Sequence, residues 1–291
     1  MSLARAEHAP IRLAYSPDAD DAFMFWALRE GKIDPRGLVF DHATADTEAL
    51  NRAAEDARAP DVTAVSMHQY AYLADRYLLL PHGGSVGAGY GPVVVARHPM
   101  RAEDLAGRRI GVPGLRTTAY LVLRLLVPRF EPVVIPVSPF RRAYDALASG
   151  EVGAAVLIHE GRLLYAREGL HAVLETGEAW QAATGLPLPL GANVIRRGLG
   201  AERVALVSSV LRESIRWALD HRDEVLSGLV SREVRAGVPR ERALFDRYLA
   251  MYANQDTLDY GPEGRHAIEE LFRRGHAAGV IPHAVRVEYA P

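Results

Sequence analysis

Alternation is the feature that most limits what this chain can become. Ile11–Tyr15 precedes a helical pattern over Asp20–Glu30, Leu38–Phe40 precedes one over Asp46–Glu55, and Val62–Val65 precedes one over Met67–Asp75. A second series follows. Arg109–Val112 stands before a helix starting at Thr117, Val133–Pro136 before Phe140–Ser149, and Ala154–Ile158 before Gly161–Glu168, with Leu170–Leu174 last. Short apolar runs separated by helix-length periodicity need crossover connections, which predicts an α/β fold with mostly parallel sheets. Ser138-Pro139 reads as a cap followed by a first-turn proline, a helix entry. Beyond about residue 198 the strand signals fade. Val204, Val207, Leu211, Ile215, Ala218 and Leu219 share one helical face, and further helices are predicted over Pro239–Tyr252 and Pro262–Ala278.

Two apolar segments lie next to chain breakers: Val93–Ala96 runs into Arg97-His98-Pro99, and Pro187–Gly191 runs into Ala192–Ile195. Both are predicted hinge crossovers. They divide the chain into a discontinuous lobe of residues 1–97 plus 190–291 and an inserted lobe of residues 98–189. The cleft between two such lobes is a common ligand site.

Composition removes several function classes. The 291 residues, 49% hydrophobic and 24% charged, describe an ordinary globular chain, and a net charge of −2 leaves no electrostatic footprint for nucleic acid or an anionic membrane. Met1–Pro10 lacks the apolar core of a secretory signal, and no apolar run approaches a membrane span, which predicts a cytoplasmic protein. The absence of cysteine excludes disulfides, thiolate catalysis and cysteine-ligated metals. Lys32 is the one lysine, within Arg-Glu-Gly-Lys-Ile-Asp, a context that fits neither a pyridoxal Schiff base, nor a lysine nucleophile, nor a Walker phosphate loop.

The remaining chemistry converges on strand ends. The apolar run Ala154–Ile158 stops at His159-Glu160, placing an ionisable ring where a buried strand reaches the surface, the usual location of α/β active sites. Such a histidine can exchange a proton near neutral pH, although one that only caps a strand end would look the same. Glu160 ranks below it, because adjacent strand residues point oppositely. Gly114–Tyr120 places Thr117, Thr118 and free backbone N–H groups at a helix N-terminus beside Arg116, suited to a substrate carboxylate. Ser66 ends its strand in an equivalent position. In Ser16-Pro17-Asp18-Ala19-Asp20-Asp21 the carboxylates suit helix capping; an Asp-x-Asp phosphatase nucleophile is a weaker reading, since Pro17 breaks the strand and no second acidic pair follows. The five glycines of His82–Pro92 lead into a strand rather than a helix, which argues against a dinucleotide loop and for close backbone approach to a ligand or a mobile lid. His42, His68, His82 and His98 show no metal-ligand spacing, so no metal is expected.

Taken in order, Ser16-Pro17 with Phe23-Met24-Phe25, Asp75-Arg76-Tyr77 with Gly83-Gly84, Gly91–Ala96, Arg116–Tyr120, Ile158-His159-Glu160 and Gly185–Gly191 resemble the 1,4-dihydroxy-6-naphthoate synthase family of the futalosine route to menaquinone. The resemblance implies a two-lobed, type 2 periplasmic-binding-protein-like fold with two hinge crossovers and a helical C-terminal region. It further implies a lyase that cleaves cyclic dehypoxanthinyl futalosine to 1,4-dihydroxy-6-naphthoate and a three-carbon fragment, without a cofactor. The family's catalytic base falls on His159, and its substrate contacts fall on Ala64, Val65, Ser66, Thr117 and Thr118. The chain departs from the family pattern at Asp18-Ala19-Asp20, where Cys-Pro-Asn is usual, and at Ala64, where a lysine is usual. The second departure removes a cationic partner for a substrate carboxylate. The rival expectations are a non-catalytic solute-binding receptor for a small carboxylate, on the same architecture, and chorismate dehydratase.

Overall fold

The computed structural model describes residues 9–232 and 235–291. The strands in it are β1 (Ile11–Tyr15), β2 (Phe40–Thr44), β3 (Val62–Ser66), β4 (Tyr77–Leu79), β5 (Ser85–Gly87), β6 (Val93–Ala96), β7 (Arg109–Val112), β8 (Glu131–Val134), β9 (Ala154–Leu157), β10 (His171–Glu175) and β11 (Leu188–Arg196). They form two sheets. One has the order β2-β1-β3-β11-β4, with β5 also on β11; the other has the order β10-β6-β9-β7-β8.

The expectation of mostly parallel sheets is corrected. β1 pairs in parallel with β2 and β3, and β7 with β8 and β9, whereas β11 is antiparallel to β3, β4 and β5, and β6 is antiparallel to β9 and β10. The reason lies in the connections. Strands linked by helical crossovers run the same way, while β6 and β11, which carry the chain between the sheets, enter each one reversed. β6 and β9 are buried along their whole length, the signature of strands covered on both faces. Val93–Ala96, expected at the end of the first lobe, pairs only within the second sheet, because its unbroken apolar run needs β9 and β10 on its two edges.

Helix boundaries move for local reasons. The pattern expected over Asp20–Glu30 breaks at Phe25 into Ala19–Met24 and Trp26–Arg29, and Met67–Asp75 shortens to Met67–Tyr70. Ser138-Pro139 is a cis peptide rather than a helix entry, and the helix begins at Arg142. Ser138 Oγ instead donates to Asp46 Oδ1 at 3.1 Å.

The C-terminal helices close the first sheet. Helix Ala201–Asp220 buries Val204, Val207, Leu211 and Ile215 against Ile11, Leu13, Val62 and Phe25. Helix Arg242–Tyr252 packs Phe245, Tyr248 and Leu249 onto Ala19, Phe23 and Trp26. Helix Thr118–Leu126, which follows β7 of the second sheet, turns Leu121 and Val122, together with Trp180 from the helix that follows β10, into a cluster with Tyr70 and Phe272 from the first sheet's side. Each such buried leucine or valine contributes roughly 1.5–3 kcal/mol, so the two sheets share apolar packing beside the cavity between them.

Candidate active site

The strand ends of both sheets wall a single cavity. Ser16, Asp18, Asp20, Ala64, Val65, Ser66, Thr117, Thr118, His159 and Tyr248 all line it. Every residue singled out from the sequence as catalytic or substrate-binding is therefore on its wall.

His159 stands two residues beyond the end of β9, in the left-handed region at φ 51°, where a side chain other than glycine is uncommon and the backbone is strained. Its side chain is 18% exposed, with Nε2 3.2 Å from Asp18 Oδ2. Nδ1 is buried and has no hydrogen-bond partner among the described residues. Burial pushes the imidazole down to about 4, against an opposing pull from Asp18, so the ring is neutral at pH 7 with a nitrogen lone pair unprotonated.

Asp18 precedes helix Ala19–Met24 but does not cap it, which corrects the capping expectation. Its carboxylate is taken by Ser16 Oγ and by Arg235, whose side chain is 2% exposed and also reaches Asp46 Oδ1 at 3.2 Å. Burial alone would raise the Asp18 carboxyl, but the facing His159 ring, then the charge of Arg235, and the hydrogen bonds from Ser16 and Arg235 bring it below the usual range. Asp20 accepts from Ser85 Oγ at 2.8 Å and from Tyr248 OH at 3.2 Å, and burial with the Asp18 charge raises it to about 6. Asp21 accepts from the Ser16 amide at 2.7 Å, and burial keeps it well above the carboxylate norm. Strand alternation, which would turn Glu160 away from His159, does not apply, since β9 ends at Leu157. Glu160 is fully buried against the same charges, and burial raises it to about 8.

The residues expected to contact substrate, Ala64, Val65, Ser66, Thr117 and Thr118, line the cavity. Ser66 Oγ accepts from Asn51 Nδ2 at 3.2 Å and its amide donates to Asn51 Oδ1 at 2.9 Å, which leaves the Ser66 hydroxyl hydrogen for a ligand. Thr117 caps helix Thr118–Leu126, accepting from the Tyr120 amide at 3.3 Å and donating to Gly114 O at 2.7 Å. Thr118 donates to Leu190 O on β11 at 2.6 Å and accepts from the His68 amide at 3.2 Å. Both threonine hydroxyls are thus committed to backbone. What remains for an anion is the helix's own first-turn amides, those of Thr118 and Ala119, which have no intrahelical acceptor. In the glycine-rich segment Gly83 lines the cavity, while Gly84 and Gly87 approach protein: a Cβ on Gly84 would meet Tyr260 OH at 2.1 Å, and one on Gly87 would meet Tyr90 O at 1.9 Å.

Sequence reasoning missed Arg235, Tyr248 and Asn51. Arg235 and Tyr248 give no local signal, but Asn51, fully buried beside Leu50, is a polar residue on the inward face of its helix, a pattern visible in the sequence.

Residues 11–277 match the family described as menaquinone biosynthesis. The chain belongs to that family. Within it, the chain is 38% identical over 276 residues to a 1,4-dihydroxy-6-naphthoate synthase of Thermus thermophilus, covering 95% of this chain and 97% of the relative. It is 37% identical over 275 residues to one of Streptomyces coelicolor, covering 94% and 95%. Among solved structures, protein AF1704 of Archaeoglobus fulgidus superposes with a TM-score of 0.83 at 43% identity, over 93% of this chain and 98% of that one. The alkanesulfonate-binding protein SsuA of Xanthomonas axonopodis pv. citri superposes at 0.70 with 16% identity over 96% of both chains, which establishes the periplasmic-binding-protein-like fold alone.

Proposed function

We propose that this member of the menaquinone-biosynthesis family is a cytoplasmic lyase that converts cyclic dehypoxanthinyl futalosine to 1,4-dihydroxy-6-naphthoate, with His159 as general base. The observation that carries the reading is a neutral, partly shielded imidazole on the wall of a cavity that Ser66, Thr117 and Thr118 also line. The substrate carboxylate sits at the first-turn amides of Thr118 and Ala119, with the Ser66 hydroxyl donating a further hydrogen bond. His159 then takes a proton from a hydroxyl or activated carbon of the bound molecule, and the electron pair left behind opens the ring and breaks the C–C bond. A positioned base of this kind contributes about a hundredfold to ten-thousandfold. The chain is expected to divide into two lobes, residues 1–97 plus 190–291 and residues 98–189, and because β6 pairs in the second sheet the first seam is better drawn ahead of Val93.

The test is direct: incubate the purified protein with the cyclic substrate and follow naphthoate formation. Tight binding of a small carboxylate with the cyclic substrate left unchanged would make the protein a receptor, and turnover of chorismate would make it a dehydratase.

A further inference from the structure

We infer that Asp18, backed by Arg235, is the positioning residue of His159: it holds the Nε2–H side of the ring and leaves Nδ1 as the nitrogen that receives the substrate proton. The inference deepens the proposed function and rests on His159 being the base. Asp18 Oδ2 lies 3.2 Å from Nε2. Two unprotonated acceptors at that distance repel one another, so the neutral ring places its one proton on Nε2 and its lone pair on Nδ1. Nδ1 is the ring nitrogen without a partner among the described residues, and because it is buried, neighbouring side chains must move to open it to a substrate in the cavity that His159 lines.

Arg235 completes the arrangement from the opposite side. It takes Asp18 Oδ1 and Asp46 Oδ1, so Asp18 stays ionised in a fully buried position while the ring beside it stays neutral. The other titratable groups near the pair include Asp20, Asp21, Glu160 and Tyr248, each raised first by burial and further by neighbouring carboxylates, Asp18 among them. As the substrate C–H or O–H bond breaks and Nδ1–H forms, the electron pair remains on the substrate and the ring becomes cationic. The Asp18 carboxylate then faces an imidazolium, an interaction that is strongest in the transition state. A purely structural ion pair would account for Asp18 and Arg235, but not for His159 being held at a left-handed φ with Nε2 against the carboxylate.

The experiment uses the full chain labelled with 15N-histidine, the His159 signals being assigned by their loss in His159→Asn. The expected result in the unsubstituted protein at pH 7 is Nε2 protonated and Nδ1 bare; the reverse tautomer would overturn the inference without any variant being needed. In Asp18→Asn the side-chain amide can donate to Nε2, so the tautomer should invert, with kcat reduced at least about a hundredfold, the size of a general-base contribution, and KM little changed. The double variant Asp18→Asn/His159→Asn should be no slower than His159→Asn alone. An equal further loss in the double variant, or a KM effect at unchanged kcat, would show that Asp18 acts independently of the ring. Near-normal turnover by His159→Asn would instead remove the base itself, an outcome distinct from the tautomer result.

Discussion

At the scale of single residues, Glu160 is where burial shows most directly. Its Oε1 accepts from the Ala19 amide at 3.4 Å, Oε2 has no partner among the described residues, and burial followed by the Asp18 charge raises the carboxyl to about 8. A carboxyl raised on folding adds stability fully present below its unfolded value, near 4.3, and loses it as pH rises toward 8. Glu160→Gln mimics the protonated group. Its melting temperature should therefore match the unsubstituted protein below about pH 4 and exceed it by a margin that grows up to about pH 8; a margin independent of pH would contradict this. Arg235 makes the complementary case. Removing one partner of a buried ion pair leaves the other charge uncompensated, so Arg235→Ala should cost about 3–5 kcal/mol in denaturant unfolding. His159 was legible from the sequence because an apolar strand ends at it. Arg235 was not, because it meets Asp18 across more than two hundred residues, 217 in sequence separation.

At the scale of elements, helix Thr118–Leu126 does two things at once: it presents its first-turn amides to the cavity and packs Leu121 and Val122 into the shared core. Its entry depends on Thr117. Thr117→Val keeps the shape but loses the cap, and should destabilise by about 1 kcal/mol with KM raised more than kcat is lowered. Thr118→Val should cost more, about 1–3 kcal/mol, because it leaves Leu190 O without its donor. Calorimetry and steady-state kinetics on the pair separate the two effects. Most elements were legible because their apolar periodicity is strong. β2 was placed too early, on Leu38–Phe40, because the observed strand, Phe40-Asp-His-Ala-Thr, is a partly exposed edge whose polarity hides it. The reversed direction of β6 and β11 was illegible for another reason: strand direction depends on the path between sheets, and the residues of a strand read the same either way.

At the scale of the whole molecule, the two-sheet α/β architecture was readable from element order, while the joint between the sheets was not. That joint is a single apolar cluster in which Leu121, Val122 and Trp180 meet Tyr70 and Phe272. Unfolding should accordingly be one cooperative transition, and Leu121→Ala should shift all of it, by about 2–5 kcal/mol; two calorimetric transitions, with only one moved by the substitution, would contradict a shared core. The central claim concerns what this joined molecule does with the cavity it encloses. His159→Asn suits the test, because asparagine tolerates the left-handed backbone that position 159 adopts. Turnover of cyclic dehypoxanthinyl futalosine by His159→Asn should fall at least about a hundredfold with folding and substrate binding retained, and turnover close to that of the unsubstituted protein would contradict the account.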